Sequence, residues 1–327
     1  MIPKVELHCH VEGAAPPALV AAKAAERGID VTGLFDAAGG YAWSDFTSFL
    51  AAYDRVAAVF RSAEDFADLA AAYLAASAAE GVIYTEVFVS PDHARRQGIA
   101  YTDYLGGIAE GLRRAEREHG IVGRIIPLIE RHFGPEAAVA AARTAVEHLL
   151  PEVVGFGMAG DERMGMPADF APAFAIATEA GLPLTCHAGE VCGAEMVRAT
   201  LDAIPVRRIG HGVRAIEDPD LVRRLAAEGV VLECCPGSNV ALGVFPDFAS
   251  HPFPALRAAG VTVTLSSDDP PFFHTSMARE YALAAEHFGC TDADLLAISS
   301  AALEAAFCDE ATKARLRSRL SPAAAII

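Results

Sequence analysis

The chain has 327 residues, 53% of them hydrophobic, with a positive mean hydropathy of +0.29, so it can bury a large core and does not read as disordered. A formal charge of −17 argues against nucleic acid or an anionic membrane as partner, because both present phosphates that would repel it. Seven cysteines without regular spacing, and an opening without a secretory leader, point to reduced thiols and a cytoplasmic compartment; no stretch is both apolar and long enough to span a bilayer.

Eight apolar, β-branched-rich runs recur along the chain, at 5–10, 82–89, 122–129, 153–158, 182–187, 208–211, 230–235 and 261–266. Between them lie Ala-rich amphipathic segments, at 66–79, 104–118, 135–149, 172–180, 191–203, 219–228 and 254–259. Several of these end at a glycine just before the next run, as at Gly81, Gly120, Gly181, Gly229 and Gly260, which is how a helix stops before a return strand. Eightfold alternation predicts an α/β fold, a (β/α)8 TIM barrel, although a doubly wound open sheet would use the same alternation. One connection is much longer than the rest. Residues 11–81 hold roughly three helices where one would do, a helical insertion after strand 1. Trp43, Phe46, Phe49, Tyr53 and Phe60 lie in it, and they read either as a lid or pocket wall or as additional core. No Gly-, Ser- or Pro-rich linker interrupts the chain, so 1–327 reads as a single domain; after Thr291 it turns helical again, and 321–327 is expected to fray.

The polar residues gather at the C-terminal ends of the predicted strands, where a barrel builds its active site. His8 and His10 are one residue apart in the first strand, so both side chains point the same way. Strand 5 ends in Cys186-His187-Ala188-Gly189-Glu190, strand 6 in Gly210-His211-Gly212, and strand 8 in Ser267-Asp268-Asp269-Pro270. Three histidines and an aspartate, His8, His10, His187 and Asp268, form a nitrogen and oxygen donor set that suits zinc. One metal is expected per chain. A second would call for a bridging group from a middle strand, often a carboxylated lysine, and no lysine lies between Lys23 and Lys313.

These motifs carry a family resemblance. Pro3 to His10, Val153 to Glu162, Cys186 to Glu190, Arg208 to Gly212 and Ser267 to Pro270, in that order, make the chain similar to the adenosine deaminase family of metal-dependent hydrolase barrels, nearly end to end. The resemblance implies zinc on His8, His10, His187 and Asp268. It implies Asp269 at the purine N7, the Gly160 N–H at N3, and Glu12 near the sugar. Zinc lowers the pKa of a bound water to about 7, which supplies a nucleophile for C6. Glu190, three residues after a metal ligand, is placed to protonate N1 as general acid, and His211 to act as base and electrostatic stabiliser beside the water. The structural alternatives are a hydrogen bond from Glu190 to a ligand, and a fifth metal contact or simple packing for His211.

The expected reaction is therefore hydrolysis of the 6-amino group of adenosine or 2′-deoxyadenosine, giving inosine and ammonia. Adenosine is preferred because the block 153–162 resembles the nucleoside branch. Against this, nucleoside deaminases of the family usually carry Asp at the position of Glu12, and relatives acting on free adenine often carry Glu. Adenine, or another 6-aminopurine, is the alternative; an amide- or ester-cleaving barrel is a more distant one. The partner is a small purine, and the oligomeric state is left open.

Overall fold

The computed structural model describes residues 1–320, so the expectation for 321–327 lies outside the described residues. The eight strands, all parallel, are β1 (Lys4–His10), β2 (Val82–Val89), β3 (Val122–Glu130), β4 (Gly157–Ala159), β5 (Thr185–Ala188), β6 (Arg208–His211), β7 (Val231–Cys234) and β8 (Thr262–Leu265). They form two four-stranded sheets in sequential order, β1 to β4 and β5 to β8. Isolated bridges Phe156↔Leu184 and Cys9↔Asp268 join the two sheets into a barrel. The second bridge matters for the site. His10 N donates to Asp268 O over 3.0 Å and Asp268 N to His8 O over 3.1 Å, which seats Asp268 beside both histidines of β1.

The expected strand at 153–158 shortens to Gly157–Ala159. Its first residues are shared between neighbours instead, with Val154 N bonded to Ile125 O and Phe156 N to Pro183 O. The expected start of strand 5 at 182 moves to Thr185, because Leu182 N caps the preceding helix and Pro183 has no N–H to give.

The barrel interior is not the usual filling of branched apolar side chains. Below the catalytic end, Arg208 lies between two buried carboxylates, 2.6 Å from Glu86 Oε2 and 2.6 Å from Glu233 Oε1, with its guanidinium over the Phe307 ring. Glu6 accepts from the Ser267 hydroxyl and N–H and from the Thr85 hydroxyl, and pairs with the Tyr73 hydroxyl. A buried charge persists only when it is paired and hydrogen-bonded, as Arg208 is with Glu86 and Glu233; Glu6 has neutral donors alone, and burial raises its pKa.

Three helices occupy the expected insertion: α1 (Pro17–Arg27), α2 (Phe46–Ala57) and α3 (Ala63–Ala79). Reciprocal capping boxes start the last two, Asp45 with Ser48 and Ser62 with Asp65. The insertion divides its aromatic residues between both roles expected of it. Phe46, Phe49 and Tyr53 face a cavity at the C-terminal end of the barrel, whereas Phe60 packs on Phe66 in the core. Trp43 pins the segment by donating from Nε1 to Phe272 O over 2.8 Å.

Candidate active site

His8, His10, His187 and Asp268 come together at the floor of that cavity, each offering one ligand atom within 4.8 Å of the others. Their outer partners fix which ring nitrogen points inward. His8 Nδ1 lies 2.9 Å from Glu233 Oε2, so its proton sits there and the Nε2 lone pair faces the cluster. His187 Nδ1 lies 2.9 Å from Met158 O, with the same result. His8 Nε2 is buried without a hydrogen-bond partner, 3.5 Å from Asp268 Oδ1. Although burial disfavours its charge, the facing carboxylates of Asp268 and Glu233 push the His8 pKa up to about 10. Two carboxylates draw positive charge onto this point, and a divalent cation would supply it. The donor set, the inward lone pairs and the orphaned Nε2 all fit such an ion. Asp268 holds a left-handed backbone, φ 64°, and Gly210 leaves room for the rings: a Cβ there would stand 2.9 Å from His8 Cε1.

Two carboxyls border the cluster. Burial pushes the Glu190 pKa well above the ordinary carboxylate range, and the charges of Asp268 and Glu162 push it the same way. Asp269 is raised well above its usual value by burial and by the Asp268 charge; its Oδ1 is buried without a hydrogen-bond partner. Both line the cavity, and the rise favours the protonated form of each, which can donate a hydrogen bond. Gly13 gives Asp269 its space, since a Cβ on Gly13 would lie 1.6 Å from Asp269 Oδ1. The loop bearing Glu190 is held by the Glu162 carboxylate, which accepts from the N–H groups of Gly189, Glu190, Val191 and Cys192. His211 turns Nε2 to the same space, 3.7 Å from Glu190 Oε1 and 3.8 Å from Asp268 Oδ2.

The cavity measures about 360 Å³ and extends from the cluster past Gly160 and Phe88 to Asp54 and Arg96. Glu12 lies in its wall and is almost wholly buried. Its Oε1 accepts from the Tyr104 hydroxyl over 2.6 Å, its Oε2 from the Tyr53 hydroxyl over 3.3 Å, and His93 Nδ1 stands 3.5 Å from Oε1. His93 reaches Glu130 Oε1 on its other side over 3.1 Å. Burial alone would neutralise Glu12, but bonding to His93 and Tyr104 outweighs it and holds its pKa below the ordinary value.

Comparison with known proteins decides the family. The adenosine deaminase family model matches residues 3–323. The chain belongs to the adenosine deaminase family. A curated relative, the adenine deaminase of Chelativorans sp. (strain BNC1), is 60% identical over 98% of this chain and 99% of its own length. Among solved structures, the adenine deaminase of Arthrobacter aurescens superposes with a TM-score of 0.90 at 30% identity, covering 98% of both chains. An amidohydrolase from Burkholderia ambifaria with bound Zn gives a TM-score of 0.88 at 29% identity over 98% of this chain and 90% of that one. The chain is thus an aminohydrolase of the purine-deaminating type, in the barrel its strand order describes.

Against that family background, the fold brings together every residue singled out in the sequence: His8, His10, Glu12, Gly160, His187, Glu190, His211, Asp268 and Asp269 all line the cavity or its floor. Other residues went unnoticed. Glu233 left a signal, an acid inside the apolar run Val231 to Cys234, and Glu162 closed a motif already quoted. Tyr53 stood among the aromatics of the insertion, but Tyr104, His93 and Asn239 left none, because each reaches the site from a different element. The seven cysteines are free; Cys234, the last residue of β7, and Cys235, which follows it, are both buried. No helix among the described residues is long and apolar enough to cross a membrane.

Proposed function

We propose that this chain is an adenine deaminase, converting adenine and water to hypoxanthine and ammonia. The observation that carries the reading is Glu12. Both of its oxygens are engaged by Tyr104, Tyr53 and His93, which fixes the carboxylate in the cavity wall and leaves it fewer free acceptor sites for a sugar hydroxyl. The sequence alone favours adenosine, on the block 153–162. The wall around Glu12, and the adenine deaminase name carried by relatives at 54–60% identity over nearly the whole chain, favour the free base instead.

In this reading His8, His10, His187 and Asp268 hold one divalent ion, zinc by their chemistry and by the Zn in the Burkholderia relative. Such an ion makes water a competent nucleophile at neutral pH. The chain's own residues do the rest. Asp269, neutral, donates to N7 of the purine, and the Gly160 N–H meets N3. Glu190 gives its proton to N1, which draws electron density from C6 and opens it to attack. The water oxygen bonds to C6 and the C6–N6 bond breaks. Of the two protons of that water, one restores Glu190 and so replaces the proton on N1, and the other leaves on ammonia.

The test is purified protein, loaded with Zn2+, against adenine and adenosine, following ultraviolet absorbance and released ammonia. The expected kcat/KM for adenine exceeds that for adenosine by about 100-fold or more, as for a site whose buried polar groups reject the larger analogue. Equal or greater efficiency on adenosine overturns the reading.

A further inference from the structure

Four imidazoles, His8, His10, His187 and His211, converge here, and His211 is wired in the opposite sense to His8 and His187. His8 and His187 each give the Nδ1 proton outward to an oxygen. The outer neighbour of His211 Nδ1 is instead the Asn239 side chain, its Nδ2 3.2 Å away. Which end of that amide faces His211 is decided two residues further out. Asn239 Oδ1 lies 3.1 Å from His251 Nε2, and His251 Nδ1 accepts the backbone N–H of Phe253 over 3.2 Å. A backbone N–H can only donate. His251, whose pKa is lowered to about 4 by burial, is neutral, so with Nδ1 accepting, its single proton is on Nε2. That proton needs an acceptor, which fixes Asn239 Oδ1 toward His251 and the NH2 toward His211. Nδ1 of His211 therefore accepts, and its proton lies on Nε2, inside the cavity. His211, Asn239, His251 and Phe253 are all buried, so no water replaces a link.

We infer that Asn239 and His251 are positioning residues that lock His211 as the Nε2–H tautomer, making it a hydrogen-bond donor toward the attacking oxygen and barring it from both the metal and the role of base. Sequence alone allows His211 to be a base, a stabiliser or a fifth ligand. A nitrogen already carrying a proton can neither take one nor coordinate. It can steady the negative charge that builds on oxygen as that oxygen bonds to C6; a donor of this kind contributes about 10²–10³ in kcat. His211 is held for this in a left-handed backbone, φ 58°, between two glycines.

The inference rests on the site being that of a hydrolytic deaminase, but its first test does not depend on turnover. Two-bond 15N–1H correlation spectra of the zinc-loaded enzyme, labelled with 15N-histidine and assigned by the signal missing in His211→Asn, report the tautomer directly. The expected result is a neutral ring with Nε2 protonated; a proton on Nδ1 in the unaltered enzyme overturns the proposal. Asn239→Asp then replaces the outward donor by an acceptor of the same shape. The expected spectrum shows a proton on Nδ1 of His211, and kcat for adenine falls by about tenfold or more while KM stays within about threefold and metal content stays at one per chain. A variant with unchanged tautomer and unchanged kcat overturns the proposal. If the unaltered enzyme shows the Nε2–H ring yet adenine is no substrate, the tautomer lock stands and the substrate reading fails alone.

Discussion

The Tyr104 hydroxyl donates to Glu12 Oε1 over 2.6 Å, joining a helix of the barrel wall to the turn that follows β1. This contact, with those of Tyr53 and His93, fixes the carboxylate in the cavity wall. Shortening the side chain in Glu12→Asp withdraws the carboxylate by about one methylene, and Glu12→Ala removes it. Both are expected to lower the adenine-to-adenosine ratio of kcat/KM by about tenfold or more, because one buried polar contact discriminates by at least that much. Steady-state rates on the two substrates measure it. A ratio that stays fixed means Glu12 has no part in choosing the substrate.

Glu233 orients His8 from behind, and Arg208 holds Glu233 from below. Glu233→Gln keeps the shape but removes the charge that keeps the His8 proton on Nδ1. Metal affinity is expected to fall by about 10–100-fold, as for other groups that orient a ligand from behind, with competition against a chelator as the measurement. Exhaustive chelation of the unaltered enzyme should abolish turnover, and Zn2+ should restore it. Full activity after the metal has been removed and assayed as absent contradicts the four-residue cluster.

Much of this architecture is legible along the chain because the barrel repeats itself: each strand ends near a polar residue, and parallel register carries those ends to one rim. His8, His10, His187 and Asp268 can be picked out in this way before any coordinates. What the sequence hides is reach. Asn239 meets His211 across 28 residues and Tyr104 meets Glu12 across 92, and neither sits in a pattern of period two or of helical spacing. The strand boundaries near 153 and 182 slip for a local reason, since apolar runs mark buried backbone without saying which neighbour takes each hydrogen bond.

Glu190 is expected to matter for rate and little for binding. Burial keeps it protonated above the ordinary carboxylate range, and Glu190→Gln preserves the shape and a hydrogen-bond donor but cannot transfer a proton. The loss in kcat is expected at about 10²–10⁴, the usual worth of a positioned general acid, with KM for adenine within severalfold. Glu162→Gln tests the loop beneath it: losing the charge that gathers four backbone N–H groups should cost part of the same kcat. A Glu190→Gln enzyme with unaltered kcat removes N1 protonation from the scheme.

Away from the cluster, Glu280 links stability to pH. Its side chain is fully buried, accepting from the Thr275 hydroxyl over 2.5 Å and from Gly237 N–H over 3.1 Å. Burial raises its pKa to about 7, more than those two bonds can lower it, and the charges of Asp268 and Glu6 add to the rise. Between about 4.5 and about 7 the folded chain therefore holds a proton that the unfolded chain has released. Stability from this group is complete below the unfolded pKa, declines as pH rises through that window, and is flat above it. At about 1.4 kcal/mol per pH unit, roughly 2–3 kcal/mol is lost between pH 5 and pH 8. Glu280→Gln has nothing to titrate. Its unfolding free energy in urea, relative to the unaltered enzyme, should rise by that amount over the same interval. A difference that does not change with pH would mean that Glu280 titrates alike in the folded and unfolded chains.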